Sequence, residues 1–121
     1  MTLVVSAYWR DPVSGETKEF TDWSEGRHMA GAERARTELW GSTAIRRRGA
    51  KYLPLLAESD LWITPEDLDD FVVEVRELLH HLDDLRVELK RKADCALPHY
   101  LHNFLRAAEY AHAKGGGVNI T

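Results

Sequence analysis

Two Glu-x-x-His pairs are the residues of this sequence that come nearest to a known chemical motif: Glu77 with His80, and Glu109 with His112. On a helix, residues three positions apart share a face. Dimetal carboxylate proteins use two such pairs together with glutamates from two further helices. One hypothesis is therefore a metal-dependent enzyme that uses His80, His112 and nearby acids. Because a bundle of four long helices does not suit a chain that begins and ends with strands, we favour solvated helix faces and predict no metal ion or cofactor.

The single cysteine, Cys95, stands four residues before His99. A position near a helix start can lower the pKa of a thiol and make it nucleophilic, whereas a lone cysteine is more often a small buried hydrophobe. The sequence has no Gly-x-Ser-x-Gly motif and no Walker phosphate-binding loop. We therefore predict no catalytic residue, and an enzyme stays the alternative hypothesis.

Two charged clusters are candidates for contact with a partner. One cluster is basic and lies in a predicted turn: Arg46, Arg47 and Arg48. The other is acidic and lies at a predicted helix start: Asp67, Asp69 and Asp70. Clustered arginines bind acidic groups, and an acidic face attracts and steers a basic protein. Both clusters are also compatible with ordinary solvated surface. The chain has 16 basic and 20 acidic residues and a net charge of −4, so it lacks the basic excess typical of nucleic-acid binding, and we expect a protein partner.

The elements that position these residues begin with a strand from Thr2 to Arg10, in which Leu3, Val5, Ala7 and Trp9 form the apolar side of a period-two pattern. After a turn, a second strand from Glu16 to Trp23 completes an antiparallel hairpin. Leu61 to Ile63 reads as a short strand. The last strand, from Val118 to Thr121, is expected beside the hairpin.

Four further segments favour helix. Residues 27–40 are rich in alanine, and Ser42 is placed to cap a short helical piece that follows. Thr64 and Pro65 begin a long helix that is predicted to run to about Arg91. Its heptad repeat of apolar residues predicts a seam for pairing with a second copy in a homodimer, carried by Leu82, Leu85 and Leu89. Pro98 begins the last helix, which ends at Gly115.

The predicted fold class is α+β, as one domain over residues 1–121. An N-terminal β-hairpin and a C-terminal strand form a small sheet that packs against three helices, one of them long. No window of the sequence approaches the roughly 20 apolar residues that span a bilayer, and the N-terminus lacks the features of a signal peptide. We therefore expect no membrane partner and a cytoplasmic location.

Several short strings lie along the whole chain at the boundaries of these elements. They are Tyr8-Trp9-Arg10, Leu39-Trp40-Gly41-Ser42, Tyr52-Leu53-Pro54-Leu55-Leu56, Leu61-Trp62-Ile63 and Gly115-Gly116-Gly117-Val118. In this outline the chain resembles small uncharacterised bacterial α+β proteins, some of which resemble the immunity proteins of polymorphic toxin systems. The resemblance implies a non-enzymatic protein that binds and blocks one partner protein.

Overall fold

The computed structural model describes residues 2–20, 28–90 and 96–121, and within these ranges five strands form one antiparallel sheet. The strands are β1 (Thr2–Arg10), β2 (Thr17–Glu19), β3 (Met29–Ala32), β4 (Leu61–Ile63) and β5 (Gly117–Ile120). β1 pairs with β2 through residues 8–10, with β3 through residues 2–4 and with β5 through residues 5–8, while β4 pairs with β5. The predicted sheet of an N-terminal hairpin and a C-terminal strand is therefore confirmed, with β3 and β4 as further members.

The period-two pattern of β1 is also confirmed. Leu3, Val5 and Ala7 are fully buried, and Trp9 is half-buried. Val118 and Ile120 of β5 lie opposite Ala7 and Val5, so that one face of the sheet is apolar and faces the helices. Burial of this face is the main favourable contribution to folding that the sheet makes.

Four helices lie within the described residues: α1 (Thr43–Arg47), α2 (Leu68–His80), α3 (Leu82–Glu88) and α4 (Leu97–Lys114). α4 packs against β1, β3 and β5, and α2 packs against α4. Phe104 of α4 is central to the core, because its ring lies 5.1 Å from that of Trp40 and 6.1 Å from that of Phe71. Ser42 caps α1 as predicted and accepts a hydrogen bond from the backbone N–H of Ile45. None of the helices described here combines the length and hydropathy of a membrane span.

The prediction of one continuous helix over residues 65–91 is wrong. A 3₁₀ turn (Pro65–Asp67) leads into α2, and the chain breaks at His81 before α3 begins. The break redirects α3 towards α1, where Arg48 pairs with Glu88 at 2.7 Å. Arg91 lies outside the described residues, and the longest helix is α4, with 18 residues.

The predicted dimer seam lies against the chain's own core. Leu85 is completely buried, and Leu82 and Leu89 are partly buried against the same cluster of apolar side chains. The seam faces inwards on both sides of the bend, since Leu68, Phe71, Val75 and Leu78 of α2 are buried as well. These three leucines therefore stabilise the fold itself, and Leu85 presents no surface to a second copy.

The helix predicted over residues 27–40 is also wrong in its first half, where the chain forms β3. Two side chains fix this strand: Trp40 donates from Nε1 to the carbonyl of Ala30 at 2.9 Å, and Asn103 donates from Nδ2 to the carbonyl of Met29 at 2.9 Å. A single π-helical turn (Arg36–Trp40) follows. The second predicted strand is present at residues 17–19, whereas its end at Trp23 lies outside the described residues.

Candidate partner-binding surface

Negative charge is concentrated in the segment that contains α2 and α3. Residues 65–88 contain nine carboxylates and two arginines, for a net charge of −7. Because the whole chain carries −4, all other residues together carry +3. The molecule therefore has one strongly acidic part, which is the region that a positively charged partner would approach first.

Six of these nine carboxylates accept a hydrogen bond or form an ion pair within the protein: Asp67, Glu74, Glu77, Asp83, Asp84 and Glu88. Glu74 accepts hydrogen bonds from the successive backbone N–H groups of residues 51–53, at 3.0 Å from Tyr52 and 2.9 Å from Leu53. Asp67 accepts from the hydroxyl of Thr64 at 3.1 Å, and Glu88 binds Arg48. Asp67 thus holds the turn before α2, and its predicted contact with a partner stays a prediction.

Asp67 also lies beside the phenol of Tyr52. Burial raises the pKa of Tyr52, and the neighbouring carboxylates of Asp67, Asp70 and Glu74 raise it further, as does a hydrogen bond to Asp67. The neutral phenol is therefore the form that this part of the fold favours.

Glu66, Asp69 and Asp70 are the acids of this segment that remain for an outside partner, and Asp69 and Asp70 are the two that lie on α2. Both are exposed at the start of α2, and neither has a hydrogen bond or ion pair within the part of the chain that the structure describes. Asp69 lines a cleft between α2 and α4, whereas Asp70 lines the groove between α2 and the segment around Tyr52. Val73, one turn further along, is 64% exposed in that second groove. Together, Asp69, Asp70 and Val73 are called the acidic surface below.

The arginine run does not form one basic patch. Arg48 is tied to Glu88 at 2.7 Å and lies 3.9 Å from Asp84, so it joins α1 to α3. Arg46 donates from Nε to the carbonyl of Gly41 at 3.1 Å. Arg47 is exposed and has no polar partner within the described ranges. The structure thus leaves Arg47 as the member most accessible to a partner.

A fourth arginine, Arg36, has a structural role. Its guanidinium donates to Asp60 and Glu33, each at 2.6 Å, and also to the carbonyls of Leu56 and Ser59. Burial by itself lowers the pKa of Arg36, but the two carboxylates outweigh this effect and raise it. Arg36 therefore holds the π-helical turn against the segment that precedes β4.

The structure brings together one set of residues that sequence reasoning missed, at the corner of the sheet where β4 ends. Trp62 is 51% exposed, and its ring meets that of Tyr8 edge-on at 5.1 Å. Burial raises the pKa of Tyr8; Arg10 opposes this shift and Glu66 adds to it. Tyr8, Arg10 and Glu66 also line one cavity of about 310 Å³. An aromatic side chain of this size on a surface is a common feature of protein interfaces.

The two Glu-x-x-His pairs lie in different places. Glu109 and His112 line the cleft of about 490 Å³ between α2 and α4. His80 lies near the break between α2 and α3, and Glu77 binds the neighbouring His81 at 2.9 Å. Among the residues that the structure describes, no three metal-ligating side chains converge. Cys95 lies outside those residues.

In comparisons with protein-family models, curated proteins and solved structures, no match to this chain was found. The resemblance to immunity proteins stays a prediction. The functional interpretation therefore depends on the charges and exposed side chains described above.

Proposed function

We propose that this chain is a non-enzymatic module that binds one basic partner protein and blocks it, in the manner of an immunity protein. The observation that carries this proposal is the net charge of −7 over residues 65–88, with Asp69 and Asp70 exposed and without a hydrogen bond or ion pair among the described residues. Such a surface raises the association rate for a positively charged protein. The proposal places the complex in the cytoplasm.

The carboxylates of residues 65–88 differ in whether they bind groups of the same chain, and this difference supports the proposal. Asp67, Glu74 and Glu88 are bound to groups of the same chain, so their charges are partly compensated. Asp69 and Asp70 have no such structural use. Exposed charges of this kind contribute little to folding stability, and their replacement should change binding without changing the fold.

Val73 adds an apolar centre to the acidic surface. It is exposed in a groove that Asp70, Glu74 and Glu77 line from α2 and that Arg48 and Lys51 line from the opposite side. Interfaces commonly combine an apolar centre with a charged rim. The rim supplies specificity and association rate, and the apolar centre supplies much of the affinity.

The test is affinity capture of the tagged protein from its source cells, with a variant and a matched control. We expect the wild type to retain one stoichiometric basic protein, and the double variant Asp69→Lys/Asp70→Lys to lose it. The control, Glu16→Lys/Glu58→Lys, makes the same change in charge at two exposed acids elsewhere on the surface and should retain the partner. Equal capture by the two variants, or capture of no basic protein, would contradict the proposal.

A further inference from the structure

We infer that the cleft between α2 and α4 receives one amphipathic helix of the partner protein, which carries a basic side chain at one end of the contact and an acidic side chain at the other. This inference rests on the proposed function and names the form of the partner's contact. The cleft has a volume of about 490 Å³ and adjoins the acidic surface, because Asp69 lines it. A groove between two helices is a shape that binds a third helix.

The two helices that flank the cleft run antiparallel. Pro65, three residues before α2, lines the same cavity as Gly115, which directly follows α4. The start of α2 therefore lies beside the end of α4, and the two helices pack together. The side chains from α4 that line the cleft lie between residues 102 and 112, a length of about 15 Å of helix. A partner helix of about three turns would fill a cleft of this length.

The floor of the cleft is apolar. Leu68 and Ala108 are buried, and Val72 and Leu105 are partly buried against the core. Each helix thus contributes two apolar side chains that are one turn apart. A third helix with apolar residues at a spacing of three and four would cover these four side chains with one face. Burial of this floor would supply much of the affinity.

The charged side chains at the two ends of the cleft have opposite signs. Asp69 and Glu109 line it towards the start of α2, where the end of α4 also lies. Arg76 lies two turns further along α2, about 10 Å away. Arg106 turns towards the same end as Arg76, because it donates from Nη1 to Oδ1 of Asn103 at 3.0 Å. The cleft is therefore acidic at one end and basic at the other.

These charges are available to a partner and select its chemistry. Asp69, Arg76 and Glu109 are exposed and have no hydrogen bond or ion pair among the described residues. A fatty acid with its carboxylate at the arginines would lay its apolar tail between Asp69 and Glu109 and desolvate both carboxylates. A helix with a lysine or arginine at that end, and with a glutamate or aspartate two turns away, places each charge against its opposite.

The probes are two acetylated and amidated helical peptides of about 15 residues, with the same composition and the same face of leucine and alanine. The polarised peptide has its glutamates in the first half and its lysines in the second half, whereas the mixed peptide alternates them along its length. Both have no net charge, so overall attraction to the protein does not distinguish them. We expect the polarised peptide to bind about threefold more tightly or better, and to shift the amide resonances of Val72 and Leu105.

The decisive variant is Arg76→Glu/Arg106→Glu, which makes both ends of the cleft acidic and should abolish the preference for the polarised peptide. Arg76→Glu alone removes no hydrogen bond or ion pair among the described residues and should reduce the preference even if the double variant is unstable in thermal melts. The control, Arg34→Glu/Arg47→Glu, reverses two exposed arginines that do not line the cleft and should keep the preference. Because the same two peptides are compared on every protein, differences in their helicity cancel.

Equal binding of the two peptides by the wild type, no binding of either, or an unchanged preference in Arg76→Glu would overturn the inference. If the peptides show no preference while Asp69→Lys/Asp70→Lys still loses the basic partner in the capture experiment, the acidic surface stands and the role of the cleft is wrong. If the peptides behave as expected but no basic protein is captured, the cleft binds a helix and the proposed function is contradicted.

Discussion

The hydroxyl of Tyr8 in the central strand donates a hydrogen bond to the backbone carbonyl of Ile63 at 3.1 Å, across a sequence separation of 55 residues. The bond spans β5, which lies between β1 and β4 in the sheet. It therefore couples the central strand to the strand that carries Trp62. We expect this contact to contribute to stability and to the fixed position of β4.

Tyr8→Phe removes only the hydroxyl and leaves the carbonyl of Ile63 without that donor. We expect the free energy of unfolding to fall by about 1 kcal/mol, the usual net value of one such bond. Urea denaturation followed by tryptophan fluorescence measures it. Tyr100→Phe is the control, because the Tyr100 hydroxyl makes no hydrogen bond within the described residues. An equal loss in both variants would show that the bond to Ile63 is not responsible.

Stability should also decline at alkaline pH. The pKa values of Tyr8 and Tyr52 are both raised in the folded protein, mainly by burial; nearby carboxylates raise both further, while Arg10 opposes the rise at Tyr8. The folded state therefore holds these protons more tightly than the unfolded state, whose tyrosines titrate near pH 10. Their stabilising contribution is complete below about pH 10 and is lost as the pH rises through the folded-state pKa values.

Urea denaturation between pH 8 and pH 11 measures this dependence. The double variant Tyr8→Phe/Tyr52→Phe should be less stable at pH 8 but should show a flatter decline towards pH 11. A decline of the same steepness in the variant would assign the alkaline loss to other groups.

Glu74→Ala tests whether one carboxylate supports the segment before the 3₁₀ turn at Leu53–Ala57. The change leaves the amides of residues 51–53 without their acceptor. Because hydrogen bonds to charged groups are stronger than neutral ones, we expect a loss of about 2 kcal/mol. Glu77→Ala, one turn later, removes an exposed side chain that binds only His81 and should cost about 0.5 kcal/mol or less. Thermal or chemical denaturation of both variants makes the comparison.

Gly117→Ala should be strongly damaging at this corner. A Cβ atom on Gly117 would lie 2.7 Å from Cζ and Oη of Tyr8 and would also overlap the carbonyl oxygen of Ile63. We expect the free energy of unfolding to fall by about 3 kcal/mol, or the variant not to fold. Overpacking costs about 1–3 kcal/mol when neighbouring side chains can adjust, whereas the backbone of β4 cannot move aside. Gly15→Ala in the open loop meets no atom within 4 Å and should cost about 1 kcal/mol through its positive φ alone. Soluble yield and melting temperature distinguish the two.

The features that the sequence predicts well are those with a local physical cause. The alternation of Leu3, Val5 and Ala7 requires a strand with one buried face. Thr64 and Pro65 define a helix start whatever the rest of the chain does. Exposure of Asp69 and Asp70 also follows from their place on the polar side of that helix.

The features that the sequence does not reveal depend on tertiary contacts. Met29–Ala32 has helical composition, yet Trp40, ten residues from Ala30, and Asn103, 74 residues from Met29, hold its carbonyls in a strand. The break at His81 is hidden because the apolar heptads continue on both sides of it. Nothing in the sequence distinguishes Trp62 from the other tryptophans. In the structure it lies between Leu61 and Ile63, which are buried on one face of β4, while Trp62 is exposed on the other face.

The pairing of β1 with β5 has a consequence for how the protein is made. β1 leaves the ribosome before β5, so Ser6 must wait for Asn119 before the second side of the strand is paired. Until then a strand with three buried apolar side chains stays open along one edge, which is a common route to aggregation. We therefore expect the nascent chain to depend on chaperones, or on rapid synthesis of the residues between β1 and β5.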